Sequence, residues 1–305
     1  MTKPRAALEL IFAGLLWGFG FVATAWALKA FTPAEILVYR FIVAVFVGEI
    51  MYFAAKGANF TTIREELFRA FPAGFLLATM LLLQTIGLKY TTATKSGFLT
   101  SLYVIIVPIL NAWFFKSPSN WKNYVLVFVA LAGTFVLMDA NLAGINVGDL
   151  WTIGCSLIAA FHIIYIGRTS PHVGNAFRFN NFQSMWCLVV LTPLLFFQEK
   201  VTYQSSDNLA WIGIAVLGIA SSVIAFYLQV RTQKILSDST ASMLFLLESP
   251  FAALFGYLLL SERLSPFQMT GAALIMVAAI LQILWEPSSE TTQTTPQSKL
   301  RRLDP

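Results

Sequence analysis

A thin set of polar side chains stands inside otherwise unbroken apolar runs: Gln84, Tyr103, His162, Tyr165, Gln229 and Glu248. Tyr165 follows His162 by three residues, which places both on one face of a helix. This is hydrogen-bonding chemistry, spread over five segments, with His162 and Tyr165 sharing one. Metal-dependent catalysis in a membrane needs clustered carboxylates or histidines to hold cations and activate a nucleophile. Here the two histidines, His162 and His172, fall on different elements, and no run carries paired carboxylates. Nor is there a GxxxxGK[ST] loop for ATP. No catalytic residue, metal or cofactor is expected, and a membrane-embedded lipid-modifying enzyme stands only as the alternative. A channel should show a ring of repeated polar residues or a filter loop, and neither is evident.

Glu248 is the sharpest member of the set. A carboxylate at the middle of a membrane span costs on the order of 2.5–3.5 kcal/mol, so it should face a wet cavity or stay protonated. Three roles are open: a structural bond near Pro250 or to a neighbouring helix, a contact to substrate, or a proton-coupling site.

The elements that must position these groups follow from composition. Of 305 residues, 57% are apolar and 11% charged, and the mean hydropathy is +0.72, too apolar for a water-facing domain. Ten apolar runs of roughly 18–24 residues, each near the span of a bilayer core, cover about 6–28, 36–54, 71–88, 97–115, 121–137, 150–167, 182–197, 209–230, 241–260 and 269–285. The first run is too long for a signal-peptide core and is read as retained. Cys155 and Cys187 lie inside apolar runs as small core residues.

Most lysines and arginines gather on the N-terminal side of the membrane. The opposite side holds Lys29, Lys89, Lys95, Lys200 and Arg263, and Arg40 lies within the second span. By the positive-inside rule both termini are expected in the cytoplasm, and the net charge of +5 reflects topology, not a nucleic-acid partner. Residues 287–305, rich in Ser, Thr, Gln and Pro, read as a disordered cytoplasmic tail.

Two stretches organise the rest, 94–115 and 239–260. Sliding one by 145 positions superposes Lys89 on Lys234, Thr94 on Ser239 and Tyr103 on Glu248. Pro108 frees the carbonyl of Val104 and Pro250 that of Leu246, so both helices should be interrupted. Paired interrupted helices in matching halves point to a transporter's binding site. Five spans precede the second half, so the repeat must be inverted. In the first run Gly14 and Gly18 form a GxxxG that admits a close neighbour, with Trp17, Gly20 and Phe21 beside it. Arg40 stands about one turn into its span, where snorkelling and a functional role are both open. A cavity is expected between the first, third, fourth, sixth, eighth and ninth helices, lined by Trp17, Phe21, Gln84, Tyr103, His162, Tyr165, Gln229 and Glu248.

The residues GLLWGFGFVA, YTTATKSGFLTSLYVIIVPIL and LLESPFAALFGYLLLSERLS resemble the drug/metabolite transporter superfamily of the EamA type, over about residues 6–285. The last piece is similar to the family's Leu-Glu-Pro and Gly-Glu signature, with Ser249 inserted before Pro250 and Ser261 standing where glycine is frequent. The resemblance implies an all-α integral membrane protein with ten transmembrane helices in two inverted five-helix repeats, 1–142 and 143–286. It further implies a secondary transporter, exporting or exchanging small organic metabolites or drugs such as amino acids. The implied partners are a small-molecule substrate and the lipid bilayer of the cell membrane, with a proton as candidate coupling ion.

Overall fold

In lipid no water satisfies an exposed N–H or C=O, so an apolar run must bond its backbone internally. The computed structural model describes residues 1–54, 63–116, 120–137, 145–198, 201–202 and 205–285. Among these, ten apolar helices form: α1 (Lys3–Ala27), α2 (Pro33–Ala54), α3 (Ile63–Leu88), α4 (Lys95–Phe114), α5 (Trp121–Leu137), α6 (Val147–His172), α7 (Ala176–Phe197), α8 (Asn208–Thr232), α9 (Asp238–Leu259) and α10 (Pro266–Trp285). Phe12, Phe46, Trp113, Phe128 and Leu284 are exposed on the outside, while small residues such as Ala6, Ala23, Ala73 and Ala160 are buried between helices. Apolar side chains outward and small ones at the contacts is the arrangement of a chain whose surroundings are lipid. The protein is an all-helical, multi-pass membrane protein of two inverted five-helix repeats.

The halves interlock. α1 packs against α8 and α9, and α6 packs in the same way against α3 and α4. The α2–α8 contact has its image in α7–α3, while α2–α7 and α5–α10 pair a helix with its own counterpart. Each of these contacts therefore maps onto another, or onto itself, when the repeats are exchanged. The GxxxG of α1 meets α9: a methyl at Gly18 would lie 2.5 Å from Cβ of Phe251 and 2.9 Å from the Ala252 nitrogen.

Several boundaries depart from the sequence reading. α3 begins at Ile63 rather than near Pro72, which sits inside it. The turns around that proline are bonded from outside, Trp186 Nε1 donating to the Leu67 carbonyl at 2.8 Å. α7 begins at Ala176, so the polar stretch FRFNNFQ lies within the helix. Its Arg178 is buried against Glu49, at 2.5 Å, and under the rings of Tyr52 and Phe182. A hydropathy window excludes such residues because their partners come from other helices. In α8 residues 217–225 form a π-helical stretch, which no residue type in that run signals. The expectation for residues 287–305 lies outside the described residues.

Both organising helices are broken, as expected, but not both at the expected place. The helical turns of α4 extend one or two residues beyond its apolar span at either end and form two pieces, Ala93–Ser101 and Tyr103–Phe115, joined at Leu102. α9 consists of Asp238–Phe245 and Glu248–Leu259. In α9 the break matches the loss of the proline N–H, and the Leu246 carbonyl instead accepts from Ser249 N three residues on. In α4 the break precedes Pro108, which sits inside the second piece. There the Ser101 hydroxyl donates to the Phe98 carbonyl at 2.6 Å and Ser249 Oγ donates to the Gly97 carbonyl. Competing side-chain bonds of this kind loosen a helix without proline.

Candidate functional site

The two breaks meet side by side at the wall of one cavity between the halves, where Thr100 and Tyr103 of α4 lie beside Phe245 and Glu248 of α9. Seven of the eight residues singled out in the sequence line it: Trp17 and Phe21 from α1, Gln84 from α3, Tyr103 from α4, His162 from α6, Gln229 from α8 and Glu248 from α9. All six expected helices contribute, and α2 adds Arg40. Tyr165 lies elsewhere. Its hydroxyl donates to the Arg69 carbonyl at 2.8 Å, in the stretch of α3 that Pro72 disturbs. Its position one turn beyond His162 carries it past the cavity and into the α3 contact.

The polar wall is bonded in pairs. Tyr103 Oη donates to Glu248 Oε1 at 3.1 Å, and both residues are buried. Gln84 Nε2 donates to Thr100 Oγ1 at 3.1 Å, and Gln229 Nε2 to Gln233 Oε1 at 3.0 Å. His162 Nε2 lies 3.2 Å from Gln183 Oε1; an amide oxygen only accepts, so this ring nitrogen carries the hydrogen. Gln183 Nε2 in turn donates to Asn180 Oδ1, and Asn180 Nδ2 to the carbonyls of Ser222 and Val223. Those carbonyls belong to the π-helical stretch of α8, a departure from α-helix that is frequent at functional sites. Ser222 Oγ then accepts from Arg40 Nε at 3.0 Å. A continuous chain of bonds thus runs from His162 to Arg40 behind the cavity wall.

The apolar wall is aromatic. The Trp17 ring is tilted against Phe226 at 5.1 Å and edge-on to Phe245 at 5.0 Å, and its buried Nε1 has no hydrogen-bond partner among the described residues. An apolar cavity with a few convergent polar groups is the usual form of a small-molecule site.

The sequence leaves the role of Arg40 open and does not single out Thr100, Ser221, Phe226 or Phe245, all of which line the cavity. The signal for Arg40 was its depth in the span. Within the π-helical stretch Ser221 lines the cavity, whereas Ser222 bonds Arg40 behind it.

Fold and cavity together define a helical membrane protein built around a central site between two related halves. The EamA-like transporter family matches twice, over residues 5–139 and 146–284. A protein of Archaeoglobus fulgidus described as an uncharacterized transporter is 30% identical over 283 residues, 92% of this chain and 86% of the relative. An uncharacterized transporter of Synechocystis sp. is 24% identical over 92% of this chain and 90% of its own. A solved crystal structure superposes with a TM-score of 0.72 at 20% identity, covering 93% of this chain and 98% of the other, a likeness of fold. The chain belongs to the EamA-like transporter family, and it is a membrane transporter by that membership.

Proposed function

We propose that the protein is a secondary carrier that exports or exchanges small organic metabolites or drugs, such as amino acids, across the cytoplasmic membrane by alternating access. The observation that carries this reading is the placement of both helix breaks, one from each repeat, at the same cavity. Discontinuous helices at a repeat interface let one half rock against the other around a fixed site. The substrate-binding residues in this reading are Trp17, Phe21, Gln84, Tyr103, His162, Gln229 and Glu248, with Tyr165 acting indirectly through α3. The repeats, 1–142 and 143–286, are the moving bodies. Both termini face the cytoplasm, on the strength of the lysine and arginine distribution, and a proton is the candidate coupling ion through Glu248.

The test is counterflow in proteoliposomes loaded with mixed unlabelled amino acids and diluted into tritiated ones. Transient accumulation of label above equilibrium is expected. Its absence for amino acids, nucleosides, sugars and cationic drugs alike would remove the carrier reading.

A further inference from the structure

Arg40 is 4% exposed, so snorkelling to the membrane surface does not account for it. It lines the cavity, and its one hydrogen bond among the described residues runs from Nε to Ser222 Oγ. The guanidinium carries five N–H donors, so Nη1 and Nη2 are left without a protein partner there. No carboxylate among the described residues forms an ion pair with it. Glu248, the acid of the same cavity, is bonded to Tyr103 instead. The Phe41 ring lies 5.5 Å away, a weak substitute for a counter-ion. An arginine keeps its charge, and a buried charge without a counter-ion is costly unless something supplies one.

We infer that Arg40 is the anion-binding residue of the cavity, and that the solute it takes is a small organic carboxylate with an apolar, ring-bearing body. The carboxylate meets the free Nη1–Nη2 edge, the planar fork that such an anion fits with two parallel bonds. The body lies against Trp17, Phe226 and Phe245, and Glu248 receives whatever donor the solute carries. A cation of the same size meets repulsion from the fixed positive charge at the site. This assignment rests on the carrier reading and narrows it to a charge type.

Three probes of one size and different charge test it: phenylacetate, phenylacetamide and phenethylamine, titrated calorimetrically into the full chain in detergent. Phenylacetate should bind about 10- to 100-fold more tightly than the amide, the worth of a charge-assisted hydrogen-bond pair, and phenethylamine most weakly. Arg40→Gln should remove that advantage, bringing the acid down to the affinity of the amide, and a melting temperature close to the parent's shows that the variant is folded. Arg40→Lys, with charge but no fork, should fall between. Ser222→Ala is the control for a structural role, since it deletes the Nε partner and leaves Nη1 and Nη2 alone. It should leave the preference for the acid over the amide in place.

The inference is overturned if the amine or amide binds as tightly as the acid, if Arg40→Gln keeps the advantage of the acid, or if Ser222→Ala abolishes it. In each case counterflow could persist, and the carrier reading would stand. Binding of none of the three probes also overturns it, and joint failure of counterflow would remove both.

Discussion

Tyr103 and Glu248 stand 145 positions apart and are hydrogen-bonded to each other. Each is the first residue after the break in its helix. The caps keep the same offset: Thr92 accepts from Lys95 N at the start of α4, and Ser237 accepts from Thr240 N at the start of α9. Under a twofold exchange of the repeats the two residues trade places, and equivalent positions touch only where the axis passes between them. The phenol–carboxyl bond therefore lies at the axis of the molecule. A rocking motion of one repeat against the other must strain or remake it.

That position makes Glu248→Gln informative. The amide keeps an oxygen to accept from Tyr103, so the variant should fold with a melting temperature close to the parent. Transport should fall by at least about tenfold, because an amide neither carries charge nor exchanges a proton, and a charged hydrogen bond is worth about 1.5–3 kcal/mol. Counterflow across pH, with and without an imposed proton gradient, is the measurement. Unchanged transport in every condition would leave Glu248 a purely structural residue.

The two glycines of the GxxxG are not equivalent. A methyl at Gly14 would sit 3.6 Å from its nearest neighbour, an ordinary contact, whereas at Gly18 it would run into Phe251 and the backbone of α9. Backbone cannot swing aside as a side chain can, so Gly18→Ala should cost about 1–3 kcal/mol, and Gly14→Ala little. Thermal unfolding of the two variants in detergent, side by side, checks the difference.

Much of this architecture was legible because lipid enforces it. A run near bilayer length must be a helix, and a polar group such as Gln84 or Glu248 inside one must find protein or water. What escaped depends on partners from distant segments. Tyr165 has the chemistry of a cavity residue, but its partner is a carbonyl near Pro72. Arg40 had two physically sound destinations, and only the packing of α2 on α7 and α8 decides between them. The π turn in α8 changes no residue type, so Ser221 and Ser222 cannot be told apart by spacing. Pro108 looked like the cause of the break in α4, yet the break sits at Leu102, where serine side chains compete for backbone carbonyls.

Ser261 has φ of 59°, in the left-handed region that disfavours a Cβ. It follows α9, where the nitrogens of Leu260 and Glu262 both bond the Gly256 carbonyl. This capping geometry explains why glycine suits the position. Ser261→Gly should stabilise the fold by roughly 0.5–1 kcal/mol, the relief of left-handed strain outweighing the added freedom of the unfolded chain. A melting temperature at or below the parent's would contradict it.

At the end where α4 and α6 begin, Lys95 Nζ lies 2.6 Å from Asp149 Oδ2. Asp149 also completes the capping box of α6 with Asn146, so one carboxylate serves both the ion pair and the cap. Lys95→Met should therefore release α4 from α6 while leaving the cap, and Asp149→Asn should disturb both. If the ion pair helps to hold this end of the cavity closed, Lys95→Met will raise the rate at which a water-soluble thiol reagent reaches Gln84→Cys. About 1.4 kcal/mol of lost closure corresponds to a tenfold faster reaction. Cys155 and Cys187 are buried and give a low background. High salt should speed labelling of the parent less than the mutation does, because Asp149 is only 2% exposed and a sheltered pair is weakly screened. Equal labelling rates with and without the Lys95→Met substitution would show that the pair fastens the helix ends without gating the cavity.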